Sequence, residues 1–201
     1  MEYIGDVFYS FGDSLYVNMT NRCPCRCAFC IRNLVDSLGD ADSLWLKREP
    51  TEEEVFEMLR DQKLDKYSEL VFCGYGEPTE RLDLLLKICD EVHAKSNLIT
   101  RLNTNGLSDL INERPTAKDF AGKLDAISIS LNAPSREEYF ELCKPKFGIA
   151  SFDEILRFTS EVKSYVPDVT MSVVSSSISR DAIEASRKIA EEQLGVKFRV
   201  R

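Results

Sequence analysis

The chain contains no apolar run of the length that a membrane span requires. Its first residues, 1–6, have neither the basic start nor the apolar stretch of a secretory signal peptide. No low-complexity segment, linker or internal repeat divides the 201 residues. These absences predict one domain over residues 1–201, located in the cytoplasm and without membrane association.

An excess of positive charge is also lacking. The 26 lysines and arginines are outnumbered by 34 aspartates and glutamates, so the formal net charge is −8. A nucleic-acid partner is therefore not expected, because a broad nucleic-acid footprint needs a basic surface. Histidine is scarce as well: His93 is the only one, and its position on a predicted helix favours a surface or boundary role.

Cysteine, in contrast, is plentiful. Seven cysteines in a reducing compartment predict metal ligands or buried thiols, not disulfides. Cys23, Cys27 and Cys30 form the pattern C-x3-C-x2-C. Three thiolates from one tight loop hold three corners of a 4Fe–4S cluster and leave the fourth iron open to a small molecule. The alternative is zinc with Cys25 as a fourth ligand, although so crowded a run makes an awkward tetrahedron.

The other cysteines are too scattered to indicate a second cluster, so they are expected to be buried structural thiols; they are Cys73, Cys89 and Cys143. Cys25 is expected to be a bystander beside the cluster. Cys73 ends a predicted strand next to the proposed pocket. The long connection 31–49 carries Trp45, which is expected to pin this connection on the core or, alternatively, to cover a substrate pocket.

Short apolar strands alternate with amphipathic helices along the chain. The predicted strands are 15–18, 70–73, 98–103, 127–131, 169–174 and 196–200. Capping boxes predict three helix starts, at Thr51/Glu54, Ser135/Glu138 and Ser151/Glu154. Six βα units predict an α/β fold with a parallel sheet. A complete eight-unit barrel takes ~250 residues, so we expect an open, partial (βα)6 TIM-like barrel.

Chemistry in such folds lies at the carboxyl ends of the strands. The polar and glycine-rich runs fall at these ends: 23–30, 74–78, 103–106, 130–132 and 175–177. An open iron is suited to chelation by the amine and carboxylate of an amino acid. The turn 74–78 offers backbone carbonyls to an amine, and its Glu77 either adds a charge or braces the turn. Ser130 and Asn132 suit sugar hydroxyls, and Phe29 suits one edge of a slot for a flat ring.

Together these features resemble the radical S-adenosylmethionine (SAM) enzymes, which combine C-x3-C-x2-C on the first βα loop, a G-E-P turn after the second strand and a partial barrel. The resemblance implies that Cys23, Cys27 and Cys30 bind a 4Fe–4S cluster whose fourth iron is chelated by SAM. It also implies oxidoreductase chemistry. One electron cleaves SAM to a 5′-deoxyadenosyl radical, which abstracts a hydrogen atom from the substrate.

The same resemblance implies a set of SAM-binding residues. The methionine end is held by the turn Gly74, Tyr75, Gly76, Glu77 and Pro78, where Tyr75 replaces the first glycine of the usual G-G-E-P. Residues near the ribose are Ser130 and Asn132, with Asn103 or Asn105 from the neighbouring strand. The adenine is backed by Val173 and Val174.

Several longer runs are similar to a radical SAM subgroup associated with TatD-like hydrolases; they are residues 15–25, 44–46, 72–79, 128–134 and 198–201. The resemblance implies a TatD-like hydrolase as a partner and gives no substrate. The substrate is expected to be either a docked protein or peptide, or a small molecule enclosed by loops and by the second subunit of a homodimer.

Three arginines crowd the cysteine loop of this acidic protein: Arg22, Arg26 and Arg32. They either offset the negative charge of the cluster or form a docking patch for an acidic electron donor such as a flavodoxin or ferredoxin. Two other functions stay open. One is a non-catalytic iron–sulfur or zinc binding module, and the other is an activase that places a radical on a partner protein.

Overall fold

The computed structural model describes residues 3–201, so Met1 and Glu2, on which the expectation about a signal peptide partly rests, lie outside the described residues. In this described part of the chain, seven strands form one sheet in the order in which they occur along the sequence. They are β1 (Phe8–Phe11), β2 (Ser14–Val17), β3 (Glu69–Phe72), β4 (Ile99–Thr104), β5 (Ala126–Ser130), β6 (Asp168–Val173) and β7 (Lys197–Val200). Strands β2 to β7 are parallel, which confirms the partial (βα)6 prediction.

The first strand, β1, was not predicted. It pairs antiparallel with β2, so the sheet is parallel in all but this edge. The two strands are joined by Gly12 and Asp13, and Gly12 has a φ of +63°. A two-residue hairpin turn needs such a backbone conformation, and glycine supplies it. The aromatic-rich run Phe8–Phe11 before a Gly-Asp pair is the sequence signal for this hairpin.

Within residues 3–201, six α-helices connect the parallel strands or follow them: α1 (Glu52–Arg60), α2 (Leu82–Lys95), α3 (Ser108–Asn112), α4 (Arg136–Cys143), α5 (Ser151–Val162) and α6 (Arg180–Lys188). The Thr51/Glu54 capping box is confirmed in both directions, with Thr51 Oγ1 accepting from Glu54 N at 3.2 Å and Glu54 Oε2 accepting from Thr51 N at 2.8 Å. Ser135 also caps its helix.

The capping box predicted at Ser151 is wrong. The cap position of α5 is Ala150, which makes no side-chain capping bond, and Ser151 is the first helical residue. Its hydroxyl is buried without a partner within residues 3–201. The reason is that the preceding turn already directs Ser151 N to Gly148 O at 3.2 Å, so the helix starts one residue earlier than the pattern indicates.

The two faces of the sheet differ in polarity. Leu102, Ile127, Ile129 and Met171 belong to the hydrophobic core that the helices cover. Side chains alternate along a strand, so the residues between them project from the opposite face, here named the polar face: Asn103, Ser128, Ser130, Ser172 and Arg199. Within the described residues no helix has the length and apolarity that crossing a bilayer demands.

Candidate functional site

The cysteine loop 23–30 follows β2 and is fixed to the end of α4. Arg26 N donates to Cys143 O at 2.9 Å, and Ala28 N donates to Leu142 O at 3.0 Å. From the other side, Lys146 N donates to Pro24 O at 2.9 Å. The backbone of the loop is therefore held by a helix end more than a hundred residues away in the chain.

The three predicted ligands are half-buried, whereas Cys25 and Cys143 beside them are buried. Hydrogen bonding from the Cys25 thiol lowers the pKa of Cys23, and bonds from Cys143 and Cys25 lower the pKa of Cys27 to about 4. Burial raises the pKa of Cys30. Since the thiolate is the form that binds metal, Cys25 and Cys143 favour the ligating state of two of the three cysteines.

Among residues 3–201, no group of three or more His, Cys, Asp or Glu side chains is placed to hold a single metal ion. A zinc site requires its donors to converge on one ion. A 4Fe–4S cluster instead receives each thiolate on a different iron, so convergence is not required.

The turn 74–78 packs through Gly76 on residues 20–22, directly before the cysteine loop. A Cβ added at Gly76 would meet the carbonyl oxygen of Thr20 and would lie 2.7 Å from that of Arg22. Only glycine permits this approach of two backbones. In addition, Glu77 N donates to Arg22 O at 2.8 Å. The turn and the residue before Cys23 therefore form one rigid unit.

Glu77 is buried and braces this turn, one of the two roles that its sequence position suggested. Its carboxylate accepts from Thr79 N (3.2 Å), Thr79 Oγ1 (2.9 Å), Thr104 Oγ1 (2.7 Å) and Asn105 N (2.8 Å). Burial raises the pKa of Glu77, and these four donors oppose that effect. Pro78, the next residue, is buried and starts a short 3-10 helix.

Tyr75 packs against the connection 31–49. Its ring packs edge-to-face on Trp45, with centroids 5.0 Å apart, and its hydroxyl donates to the carbonyl of Val35. Tyr75 is 3% exposed and Trp45 is 39% exposed. The tyrosine at the glycine position therefore has a packing role, and Trp45 pins the connection as expected.

Three asparagines lie near the cysteines. The Asn105 amide nitrogen is 4.0 Å from Cys23 Sγ, and the Asn132 amide nitrogen is 3.5 Å from Cys143 Sγ. Asn132 has a left-handed backbone, with a φ of +63°. The amide oxygens of Asn103 and Asn132 are buried and have no hydrogen-bond donor within residues 3–201. Both are thus available to the hydroxyl or amine donors of a ligand.

The remaining predicted residues belong to the cysteine loop and to the ends of β5 and β6. Ser130 Oγ accepts from Arg201 Nη2 at 3.1 Å. Phe29 is partly buried against the core. Val173 is fully buried, and Val174 follows the end of β6. The structure thus assembles the cysteine loop, the turn 74–78 and the ends of β4, β5 and β6 along one edge of the sheet.

Sequence reasoning missed the neighbours that α4 supplies. Cys143 is buried as predicted, but its position beside the cysteine loop was not predicted. Nor was the position of Tyr139, whose hydroxyl lies 3.8 Å from Cys25 Sγ. Nothing in the local sequence pairs residue 143 with residue 27. The role of the last strand was missed as well, although the alternation Phe198-Arg199-Val200-Arg201 places both arginines on one face.

The donor set fits an iron–sulfur cluster with SAM. Two thiols with lowered pKa, two orphaned amide oxygens and a glycine turn held against the cysteine loop lie at the carboxyl edge of one sheet. Thiolates suit iron, and the amide oxygens suit the hydroxyl groups of a nucleoside.

Several solved structures of other proteins share this fold. The structure of Streptococcus suis SuiB bound to its precursor peptide SuiA has a TM-score of 0.68 at 18% identity, over 96% of this chain and 40% of that one. A radical SAM methyltransferase from Sphaerobacter thermophilus has a TM-score of 0.65 at 17% identity, over 96% and 57%. Native anSMEcpe with bound AdoMet has a TM-score of 0.57 at 21% identity, over 92% and 50%.

The chain thus spans between 40% and 57% of the length of these structures. No curated protein matches it. The family model described as the radical SAM superfamily matches residues 17–188, from the end of β2 to the end of α6. The chain belongs to the radical SAM superfamily.

Proposed function

We propose that this protein is a radical SAM enzyme in which Cys23, Cys27 and Cys30 bind one 4Fe–4S cluster and the turn 74–78 holds the methionine end of SAM. Family membership itself implies an enzyme that uses SAM and an iron–sulfur cluster. The observation that carries the proposal is the bond from Glu77 N to Arg22 O at 2.8 Å, which joins the turn to the residue directly before the first cysteine.

When bound, these groups supply the reductive cleavage of SAM to a 5′-deoxyadenosyl radical that abstracts hydrogen from the substrate. The residues of this chain supply position. Gly76 keeps the turn within backbone contact of the cysteine loop. Glu77 fixes the turn to Thr104 and Asn105 at the end of β4. The distance between the turn and the cysteines is therefore set by buried bonds and not by the ligand.

The remaining contacts with SAM, those to its ribose and adenine, are assigned from the positions of residues in the sequence motifs. We propose Ser130 and Asn132, with Asn103 or Asn105, for the ribose hydroxyls. Val173 and Val174 would back the adenine, and Phe29 would close one edge. The orphaned oxygens of Asn103 and Asn132 support this assignment, because each can accept a hydroxyl hydrogen.

Anaerobic reconstitution with iron and sulfide tests the cluster. The expected product is a brown protein with four irons and four sulfides, which after dithionite converts SAM to 5′-deoxyadenosine. Replacing Cys27 with Ala should abolish both properties. The matched control is Cys25→Ala, a neighbouring cysteine outside the triplet, which should keep the cluster. A colourless protein that binds zinc and loses it in the Cys25 variant would favour the binding module instead.

For the electron donor we propose a flavodoxin or ferredoxin that docks beside the cysteine loop. Arg22 is already paired with Glu49 and Glu80. Arg26, in contrast, is exposed. Among the described contacts, the side chain of Arg32 donates only to the carbonyl of Cys25, at 3.4 Å. Charge reversal of Arg26 and Arg32 should slow reduction by flavodoxin and leave reduction by dithionite unchanged. Equal slowing with both reductants would contradict docking.

We further propose that residues 1–201 are a radical SAM core domain of the TatD-associated subgroup, active in the cytoplasm with a TatD-like hydrolase as partner. The sequence runs 15–25 and 72–79 support the subgroup. Co-purification of the hydrolase with tagged protein under anaerobic conditions tests the partner, and light scattering of the same sample tests for a homodimer.

A further inference from the structure

The last strand brings two arginines to the polar face of the sheet. Phe198 on β7 packs against the core, so its neighbour Arg199 projects to the other face. Arg199 is in register with Ser172 on β6, and Ser172 is in register with Ser130 on β5. Arg201 continues the same side of the chain, and its backbone still pairs with Val173.

Neither guanidinium has an acidic partner. Arg199 Nη2 donates to Ser128 Oγ at 3.2 Å, and Arg201 Nη2 donates to Ser130 Oγ at 3.1 Å. Within residues 3–201, no aspartate or glutamate forms an ion pair with Arg199 or Arg201, although acidic residues outnumber basic ones by 34 to 26. Serine hydroxyls accept a hydrogen bond but leave the positive charge unbalanced.

Other cations on this side of the sheet are neutralised. Arg101 on β4 pairs with Glu69 at 2.6 Å. Lys197, two residues before Arg199, pairs with Asp168 at 2.7 Å. Among the described strand residues of the polar face, Arg101 and Lys197 are thus balanced, whereas Arg199 is not. Desolvation and, as a smaller effect, the like charge of Arg199 lower the pKa of Arg201, whereas the Cys73 thiol opposes this shift.

A buried donor lies between these arginines and the strand ends. Ser172 is fully buried, and its hydroxyl has no partner within the described part of the chain. It projects from the polar face beside Ser130 and Arg199 through the sheet register. A free serine hydroxyl beside two guanidinium groups offers hydrogen-bond donors of the kind that bind a carboxylate or a phosphate.

We infer that Arg199, Arg201 and Ser172 bind an anionic group of the substrate, a carboxylate or a phosphate. This inference rests on the proposed function, because Ser130, the partner of Arg201, is also assigned to the ribose of SAM. The anionic group would therefore be held close to the 5′ carbon of SAM. The substrate class is a small molecule that carries a carboxylate or phosphate near the hydrogen that is removed.

Calorimetric titration of the reconstituted protein with inorganic phosphate and, separately, with sodium acetate tests the inference, each with and without saturating SAM. We expect one of the two anions to bind with a dissociation constant that rises at least tenfold in both Arg199→Gln and Arg201→Gln. Arg199→Lys keeps the positive charge but loses the bidentate hydrogen-bonding geometry of the guanidinium, so this variant should bind the anion with intermediate affinity. Binding of phosphate alone would indicate a phosphorylated substrate, and binding of acetate alone a carboxylic acid.

The matched control is Lys197→Gln, which removes a cation of the same strand whose charge Asp168 already balances. This variant should bind the anion as the unchanged protein does. Equal weakening in Lys197→Gln would show that only general charge attraction is measured, and that result would overturn the inference. So would the absence of binding in the unchanged protein.

Competition with SAM is the second decisive measurement. If SAM displaces the anion, the arginines serve the carboxylate of SAM and the inference is wrong. If the protein fails to cleave SAM while still binding the anion in an arginine-dependent way, the proposed function fails and the anion site remains. Thermal unfolding of each variant confirms that the comparison is made between folded proteins.

Discussion

At the residue scale, Glu77 connects segments that are far apart in the chain. Its carboxylate bonds to Thr79 within the turn, and to Thr104 and Asn105 after β4. Its own backbone nitrogen bonds to Arg22 beside the cysteines. A single buried side chain therefore determines where the turn stands relative to two neighbouring strands.

Replacing Glu77 with Gln should lower the free energy of unfolding by ~1–3 kcal/mol. The side-chain amide nitrogen of Gln would replace a carboxylate oxygen, and it would face a hydrogen-bond donor that this oxygen now accepts from. Burial raises the pKa of Glu77 above its usual 4.5. Its stabilising contribution is therefore complete below that pH and declines as the pH rises through the raised value, so the cost of the replacement should shrink with rising pH. Urea unfolding at several pH values measures this, with exposed Glu57→Gln as the control.

Gly76 supports a second prediction at this scale. Gly76→Ala places a Cβ against the carbonyls of Thr20 and Arg22, so backbone must move, at a cost of ~1–3 kcal/mol or more. We expect loss of SAM cleavage with a retained cluster, because the turn would shift while the cysteines remain. Gly122→Ala is the control: it meets no atom within 4 Å but keeps a φ of +68°, and it should cost ~1 kcal/mol without affecting cleavage. Equal loss of activity in both variants would contradict the close-approach argument.

At the scale of elements, α1 is fixed by its first turn. The Thr51/Glu54 box satisfies donors at the helix start, and Arg48 bonds to the same Glu54. These bonds lower the pKa of Glu54 to about 2. The carboxylate therefore contributes above the ordinary glutamate pKa, and its contribution is lost as the pH falls toward 2.

Thr51→Ala should reduce the free energy of unfolding by ~1 kcal/mol, and Thr51→Ser should leave it nearly unchanged, because the hydroxyl is the group that caps. Urea unfolding at neutral pH measures both. The Thr51 hydroxyl accepts only from the start of its own helix, at Glu54 N, so SAM cleavage by the folded variant should persist. A stability loss in the serine variant equal to that in the alanine variant would contradict the capping role.

At the scale of the whole molecule, one sheet edge collects the loops of successive parallel strands. The cysteine loop is bonded on one side to the end of α4 and on the other to the turn after β3. Because these contacts join residues near 25, 76 and 143, a ligand that stabilises the loop also stabilises the strands that carry its neighbours.

Cluster removal by chelation should therefore lower the unfolding temperature and speed hydrogen exchange in three segments: 22–33, 74–78 and 140–146. Hydrogen exchange with mass spectrometry, on reconstituted and chelated protein, checks this. Helix α6 (Arg180–Lys188) is the internal reference and should exchange at a similar rate in both forms. A uniform increase of the exchange rate across the chain would show that chelation destabilises the whole protein, and it would contradict a specific coupling of these three segments.

Much of the fold was predictable from sequence because its signals are local. The apolar runs in β3 and β5, the periodicity of α2 and the Thr51 cap depend on residues that are neighbours in the chain. The hairpin β1–β2 also has a local signal, the aromatic-rich run Phe8–Phe11 followed by Gly12 and Asp13. The box at Ser151 failed because the competing turn at Gly148 starts the helix earlier.

The sequence alone determined the C-x3-C-x2-C loop, the G-E-P turn and the alternation of strands and helices, because spacing along one chain sets which side chains share a loop or a face. Only the tertiary structure decided that Cys143 lies beside Cys27, that Glu77 braces two loops, and that Arg199 and Arg201 face serines instead of carboxylates. Those relations join distant residues, and they arise only when parallel strands bring their carboxyl ends to one edge.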